Sequence, residues 1–485
     1  MSRSRLINRI VTKGNTPQSG SNVHGKTTTN GTTGSQQNVY VDTFTINVFF
    51  DGTKNNLYNI EHRKKNPQMY KGKETASSYE SYFNDHSNVS YLYQAREQKA
   101  NIGWAYIEGI GTGADDINVL ERRNRSLKMR GKPLEERKYY EDSTKGFAFG
   151  SGPTGIVTRV QQSFERIQSM VSSDLGDRIP TILVLNVFGF SRGAAAARHF
   201  VHKVKTEPKR FIGWNLTRER IIVNFVGLFD TVSSYSAVSF SPERTGAFDT
   251  DTKELHLNFE RGYASKVFHL TAADEYRLYF SLTNINSAIR HGFGMEVAIS
   301  GAHADVGGSY ASAVQKYFSV KENFPGMKNW FQNQGFFKEN DIDWSKGRTY
   351  QTDMGNTLKT PETMTATRKH IIPNDYARVA FKIMRLIVET HCSDKSIAFN
   401  RDVTTKRETS TFPEIIELLN KLPYRIQRAS QDTWAKRYNF ELSKYYSPEQ
   451  VRNIRYKYIH WSAKNELGYE LRTKNGLPFR KIHEG

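Results

Sequence analysis

The sequence predicts an α/β protein built on a doubly wound, mostly parallel sheet with helical insertions. Two observations carry this. Near-continuous apolar runs, the mark of strands buried on both faces, stop abruptly at Asp, Ser or Gly, and segments with helical periodicity alternate with them. Strand and helix in alternation give parallel sheets covered on both sides. At 485 residues, with 37% hydrophobic and 24% charged residues, the chain has room for a sizeable core and is not disordered as a whole. No run approaches the roughly 18 apolar residues of a membrane span. A single cysteine, Cys392, excludes an intramolecular disulfide and a multi-cysteine metal site.

Residues 1–40 are dominated by Ser, Thr, Asn, Gly and Gln, with basic residues and little apolar content, and read as a disordered basic arm. They contain no apolar stretch of the secretory-leader kind, so export, if any, is expected by another route. The fold begins at VDTFTINVFFDGTKNN, where β-branched and aromatic residues from Thr43 to Phe50 run into Asp51-Gly52. ANIGWAYIEGIGTG repeats the pattern of strand and glycine turn. After a basic insertion near 120–145, the spacing of Ile156, Val157, Val160, Phe164, Ile167 and Met170 predicts an amphipathic helix. Thr181–Phe188 is a central strand leading into a helix over Ala194–Val204. Ile221–Phe229 is another strand, ending at Asp230, and MEVAISGAHADVGGSY supplies one more. From 321 to 485 the signal is mainly helical, with DYARVAFKIMRLIVETH and SPEQVRNIRYKYIHWSA as helices. We read that region as an elaboration on the 41–320 core or a lipid- or partner-contact region, since the Trp/Tyr and basic content of RYKYIHWSAK suits an anionic lipid surface.

The strongest chemical signal is Gly189-Phe190-Ser191-Arg192-Gly193, of the form G-x-S-x-G, between a buried strand and an Ala-rich helix. In that setting the serine sits on a strained turn with no room for side chains at the flanking positions, which makes it a candidate nucleophile and the fold hydrolase-like. A nucleophilic serine needs a base, and the base a carboxylate, in the order Ser, Asp or Glu, His. Asp230 stands at a strand end, and Glu207 and Glu219 lie in polar helix or loop sequence. His303 follows another strand among glycines, whereas His199 and His202 lie on the helix after the serine and point away from it. Asp305 is the rival carboxylate. The N–H of Arg192 and one from Asp51-Gly52-Thr53, with Gly52 and Thr53 as donors, are the expected oxyanion hole. Asp51 serves equally well as a structural residue. Gly109–Gly113 and the glycines Gly146–Gly155 match neither a P-loop nor a dinucleotide fingerprint, and no metal-ligand motif is present, so no cofactor is expected.

VFFDGTKNN, YIEGIGTG, FGSGPTGI, VFGFSRGAAAARHF, VGLFDTVSS, HLTAADEYR and GAHADVGGSY, in order over roughly 43–312, together resemble the catalytic domain of the type VI secretion phospholipase effectors with a GFSRG nucleophile motif. The resemblance implies an α/β-hydrolase-like fold, with Ser191, Asp230 and His303 as the catalytic set. It implies an antibacterial phospholipase A-type esterase acting on membrane phospholipids in a rival cell's periplasm. It also implies delivery from the bacterial cytoplasm on a secretion spike or tube component, and a cognate immunity protein. Ser309 departs from the family, which often has a third glycine there, and this bears on local loop geometry. The net charge of +20, from 69 Lys+Arg against 49 Asp+Glu, also admits a nucleic-acid-binding protein, or an inactive hydrolase-fold interaction protein. On the family resemblance, no nucleic acid is expected.

Overall fold

The computed structural model describes residues 40–113, 117–143, 150, 152–175, 179–210, 216–234, 255–314, 318–320, 326–345, 349–351, 357–359, 363–368, 370–392, 396–464 and 469–485. They belong to one compact unit, Val39–Gly485. The predicted 1–40 arm lies outside the described residues apart from Tyr40, and so does Gly146 of the glycine-rich stretch.

Seven strands form the central sheet: β1 (Tyr40–Phe50), β2 (Ile102–Ile107), β3 (Ile179–Phe190), β4 (Ile221–Phe229), β5 (Lys266–Ala272), β6 (Gly294–Ile299) and β7 (Lys436–Asn439). Their spatial order is β7-β6-β5-β4-β3-β1-β2. Every neighbouring pair is parallel. From β1 the chain moves outward to β2, returns past β1 to β3, and then continues to the far edge. The order therefore reverses between β1 and β3, and the carboxyl ends of these two strands flank the crevice where open α/β sheets bind ligands.

The strands alternate their side chains between two apolar layers, as a period of two requires. On one face Phe44, Ile46, Val48 and Phe50 of β1 and Leu183, Leu185 and Val187 of β3 meet the buried sides of α1 (Ile156–Leu175) and α2 (Arg192–Thr206). On the other, Phe49, Phe188 and Phe225 meet α3 (Tyr376–His391) and α4 (Pro413–Asp432). Phe49 and Phe188 stack with centroids 4.9 Å apart. Burial on both faces is why these strands read as continuous apolar runs. The exception is a polar thread. Asn47 and Asn186 are in register, and Asn186 Nδ2 donates to Asn47 Oδ1 at 2.9 Å and to Ser396 Oγ at 3.1 Å. Each amide is thus satisfied inside the core.

The region from 321 to 485 is not a separate appendage. It supplies β7 at the sheet edge and both α3 and α4, which cover one face together with the helix Asn88–Gln94. The reading of RYKYIHWSAK as a lipid-facing surface is corrected here: Tyr458, Ile459 and Trp461 are 4%, 0% and 3% exposed. Trp461 packs edge-on against Phe331 and Phe336 at 4.7 and 5.1 Å. The stretch is aromatic because it fills a core. No described helix is long and apolar enough to cross a membrane.

Candidate active site

The predicted site residues follow the carboxyl ends of four parallel strands: Asp51-Gly52-Thr53 after β1, Ser191 after β3, Asp230 after β4 and His303 beyond β6. Ser191 takes φ 59° and ψ −129°, a left-handed conformation that a serine holds only when its surroundings impose it. The surroundings are backbone. Ser191 N–H donates to Phe229 O at 3.0 Å, and Ser191 O accepts from Ala194 N at 3.0 Å. A Cβ on Gly189 would stand 2.6 Å from Ala194 Cα, and one on Gly193 would stand 2.2 Å from Asp51 O. The two glycines of the motif therefore let α2 pack tightly against β3 and against the loop after β1. The positive end of the α2 dipole lies at the serine.

Asp230 is fully buried and also adopts a positive φ, 43°. Its Oδ2 meets His303 Nδ1 at 2.5 Å, and its Oδ1 accepts from Ala272 N at 2.9 Å. Arg480 reaches both oxygens, from Nη1 to Oδ1 at 2.7 Å and from Nη2 to Oδ2 at 2.9 Å. Burial pushes this carboxyl upward. The Arg480 guanidinium and the His303 bond override it and hold Asp230 well below the usual carboxylate range. The His303 ring lies between Phe190, 4.7 Å away between centroids, and Phe280, 5.1 Å away. Burial pushes this imidazole below its ordinary value, against the pull of Asp230. Its backbone N–H donates to Glu275 Oε2 at 3.2 Å, and Glu275 is itself paired with Arg277 at 2.8 Å.

The structure thus brings Asp230, not Asp305, to His303. Asp305 accepts from Ala302 N at 3.0 Å and His460 N at 2.9 Å, and its Oδ1 meets His460 Nδ1 at 2.6 Å. It caps the short helix His303–Gly307 and ties it to the chain beyond 458. Glu207 pairs with Lys203 at 2.6 Å, and Glu219 is exposed. His199 and His202 stack alongside His256, with His202 and His256 4.2 Å apart. Ser309 takes φ 90°, the conformation that favours glycine, so the loop keeps its shape without one.

Around the loop after β1 the two predicted oxyanion donors differ. Gly52 N–H donates to Asp51 Oδ1 at 2.7 Å, so it is already occupied. Thr53 N–H has no such partner among the described residues, and Thr53 Oγ1 accepts from Arg192 Nε at 2.8 Å, which draws together the two loops that carry the donors. Asp51 is the anchor of this loop. Its carboxylate accepts from Ser87 Oγ and Tyr106 OH, each at 2.5 Å, and burial raises it to about 6. Sequence reasoning missed Ser87, Tyr106, Phe280 and Arg480. Tyr106 opens the YIEGIGTG block without any sign of its bond to Asp51, and Ser87, Phe280 and Arg480 sit in none of the quoted blocks.

Residues 202–324, which include Asp230 and His303 and begin after Ser191, match the family model of the type VI secretion phospholipase effector Tle1-like catalytic domain. Among solved structures, the chain is similar to the Tle1 effector bound to the VgrG spike from the type 6 secretion system. The TM-score is 0.57 at 20% identity, over 96% of this chain and 99% of that one. An uncharacterized protein from Pseudomonas aeruginosa aligns with a TM-score of 0.36 at 16% identity, over 85% of this chain and 52% of that one. No curated protein matches the chain. Residues 202–324 thus match the family that the ordered sequence blocks resemble, the type VI secretion phospholipase effectors of the Tle1-like kind.

Proposed function

We propose that the protein is a serine esterase of phospholipase A type that hydrolyses acyl esters of membrane glycerophospholipids. The observation that carries the reading is the 2.5 Å contact between His303 Nδ1 and Asp230 Oδ2, at the strand ends where Ser191 occupies its strained turn. With Nδ1 held by an ionised carboxylate, Nε2 is the nitrogen that takes the Ser191 proton. Ser191 Oγ attacks the ester carbonyl, the imidazolium returns its proton to the leaving lysolipid alkoxide, and an acyl-enzyme remains. Water, deprotonated by the same imidazole, then releases the fatty acid. The N–H groups of Arg192 and Thr53 are the donors for the oxyanion, each worth on the order of a hundredfold in rate. A basic nucleic-acid-binding role leaves this arrangement of residues without a purpose.

The likeness to an effector bound to a VgrG spike supports delivery by a type VI secretion machine on a spike or tube component. An antibacterial role in the target-cell periplasm, with a cognate immunity protein in the producer, follows as part of the same proposal. The test uses purified wild-type and Ser191→Ala protein on vesicles of phosphatidylethanolamine and phosphatidylglycerol, with fatty acid and lysolipid measured by mass spectrometry. Release by the wild type alone is expected, and the lysolipid formed identifies the position cut. Silence from both, on vesicles that a control lipase hydrolyses, overturns the phospholipase reading.

A further inference from the structure

Arg480 approaches the carboxylate of Asp230 from 250 residues further along the chain. Besides its two bonds to Asp230, its Nη1 donates to Ala272 O at 2.8 Å and its Nε to Phe280 O at 3.1 Å. Its side chain is 7% exposed and that of Asp230 is 0% exposed, so solvent screens the pair little. The segment that carries it is built in. Leu282 N donates to Lys481 O and Asn284 N to His483 O, both at 3.0 Å, and Ile482–His483 pairs in parallel with Leu282–Thr283.

We propose that Arg480 is a positioning residue for the catalytic pair: it orients the Asp230 carboxylate toward His303, offsets part of its charge, and so sets the lower pH limit of hydrolysis. The proposal rests on the esterase reading above. A planar guanidinium that grips both oxygens fixes the rotation of the carboxylate, which a single backbone donor does not. An isolated buried carboxylate beside an imidazole favours the imidazolium, and an imidazolium cannot accept the serine proton. A cation on the far side of that carboxylate weakens the pull and keeps the imidazole neutral to lower pH. The other charged and titratable groups that face the pair are Glu275 and Arg277, which are bonded to each other, and His269, whose Nδ1 meets Glu296 at 3.0 Å and whose Nε2 accepts from Thr231 N at 3.0 Å. Glu275 and Arg277 oppose each other in sign, which leaves Arg480 as the charge that moderates Asp230.

The test measures kcat and KM for p-nitrophenyl butyrate from about pH 5 to 9, where a general base of this kind titrates. It also follows His303 in 1H–13C spectra of ring-labelled histidines, assigned with His303→Gln. Arg480→Gln is expected to move the acid limb of kcat/KM, and the His303 titration, upward by about one pH unit, with KM unchanged. Arg480→Lys restores the charge without the fork, so the limb returns to its wild-type position while kcat stays roughly tenfold low. A folded Arg480→Gln protein with the wild-type limb and His303 titration overturns the proposal. Should Arg480→Gln not fold, Arg480→Lys decides, and a wild-type kcat in that variant overturns it. If the wild type hydrolyses no ester, the esterase reading fails by itself, and the His303 titration still reads the coupling to Arg480: a shift supports it and its absence overturns it.

Discussion

The tightest approach in the site is that of Gly193 to the loop after β1, and Gly193→Ala tests the consequence. The added Cβ would stand 2.2 Å from Asp51 O, 2.5 Å from Phe50 O and 2.7 Å from Asp51 C. Carbon contacts settle at about 3.5–4 Å, so more than about 1 Å of relief is needed. The β1 side cannot supply it. Asp51 N–H is bonded to Ile107 O at 3.0 Å, and its carboxylate is held by Ser87 and Tyr106. The first turn of α2 must move instead, and it carries the N–H of Arg192 and follows directly on Ser191. Overpacking costs about 1–3 kcal/mol, against about 1 kcal/mol gained by replacing glycine with alanine inside a helix. The net loss of stability is therefore at most about 2 kcal/mol. The loss of turnover is larger, about a hundredfold, because an error of about 1 Å in the reacting groups has that scale of effect. Urea unfolding followed by circular dichroism reads the first quantity, and hydrolysis of a soluble p-nitrophenyl ester reads the second. A Gly193→Ala protein with wild-type midpoint and wild-type kcat would falsify the claim that backbone contact sets the serine's position.

Asp230→Asn is expected to lower kcat by about ten-thousandfold and to cost stability as well, because the buried Arg480 loses its anion, whereas Asp305→Asn costs about 1–3 kcal/mol of stability through the His460 contacts and leaves the specific activity of the folded fraction intact; equal kinetic losses would overturn the assignment of the acid. Asp51, raised from 3.8 to about 6, disfavours folding once deprotonated, so its contribution is fully present below pH 4 and is lost as pH rises through 6. In Asp51→Asn that fall between pH 4 and 6, about 3 kcal/mol, is absent, and the difference in urea midpoint between wild type and variant at the two pH values measures it. Trp461→Ala removes a buried aromatic and is expected to cost about 3–5 kcal/mol. It should leave sedimentation with phosphatidylglycerol vesicles unchanged, and a selective loss of vesicle binding would restore the lipid-facing role.

What the sequence shows of this fold is set by burial. β1, β3 and β4 are legible because both of their faces are covered, and Ser191 and Asp230 are legible because each ends such a strand. β7 is not, because KRYN is a four-residue edge strand whose residues remain largely exposed, and its place is given by the pairing of Arg437 with Glu296 at 2.6 Å. α4 is obscured by Pro423 inside it, although Ile415, Leu418, Leu422 and Ile426 keep helical spacing. The aromatic tail was misread for a related reason: composition distinguishes a core from a lipid face only when the partner surface is known, and Phe331, Phe336 and Trp461 are each other's partners.

The candidate site divides the same way. A motif marks what the local chain must do, and the strained turn at Ser191 is local, enforced by the glycines two residues to either side of it. The environment of a titratable group is not local. Asp51 depends on Ser87 and Tyr106, Asp305 on His460, and Asp230 on Arg480. Two aspartates that each follow a strand therefore look alike until their partners are known. The partners then separate them, since one is turned to a histidine at the strand ends and the other ties a helix to the chain beyond 458. The part of the chain beyond 320, which has no recognisable block, supplies two of these partners, His460 and Arg480. Its share in covering one sheet face and its hold on Asp230 belong to a single arrangement, in which the Asp230–His303 pair is assembled only when the whole unit has folded. Removing residues from Pro448 onward is accordingly expected to abolish hydrolysis, even though Ser191, Asp230 and His303 all lie before them.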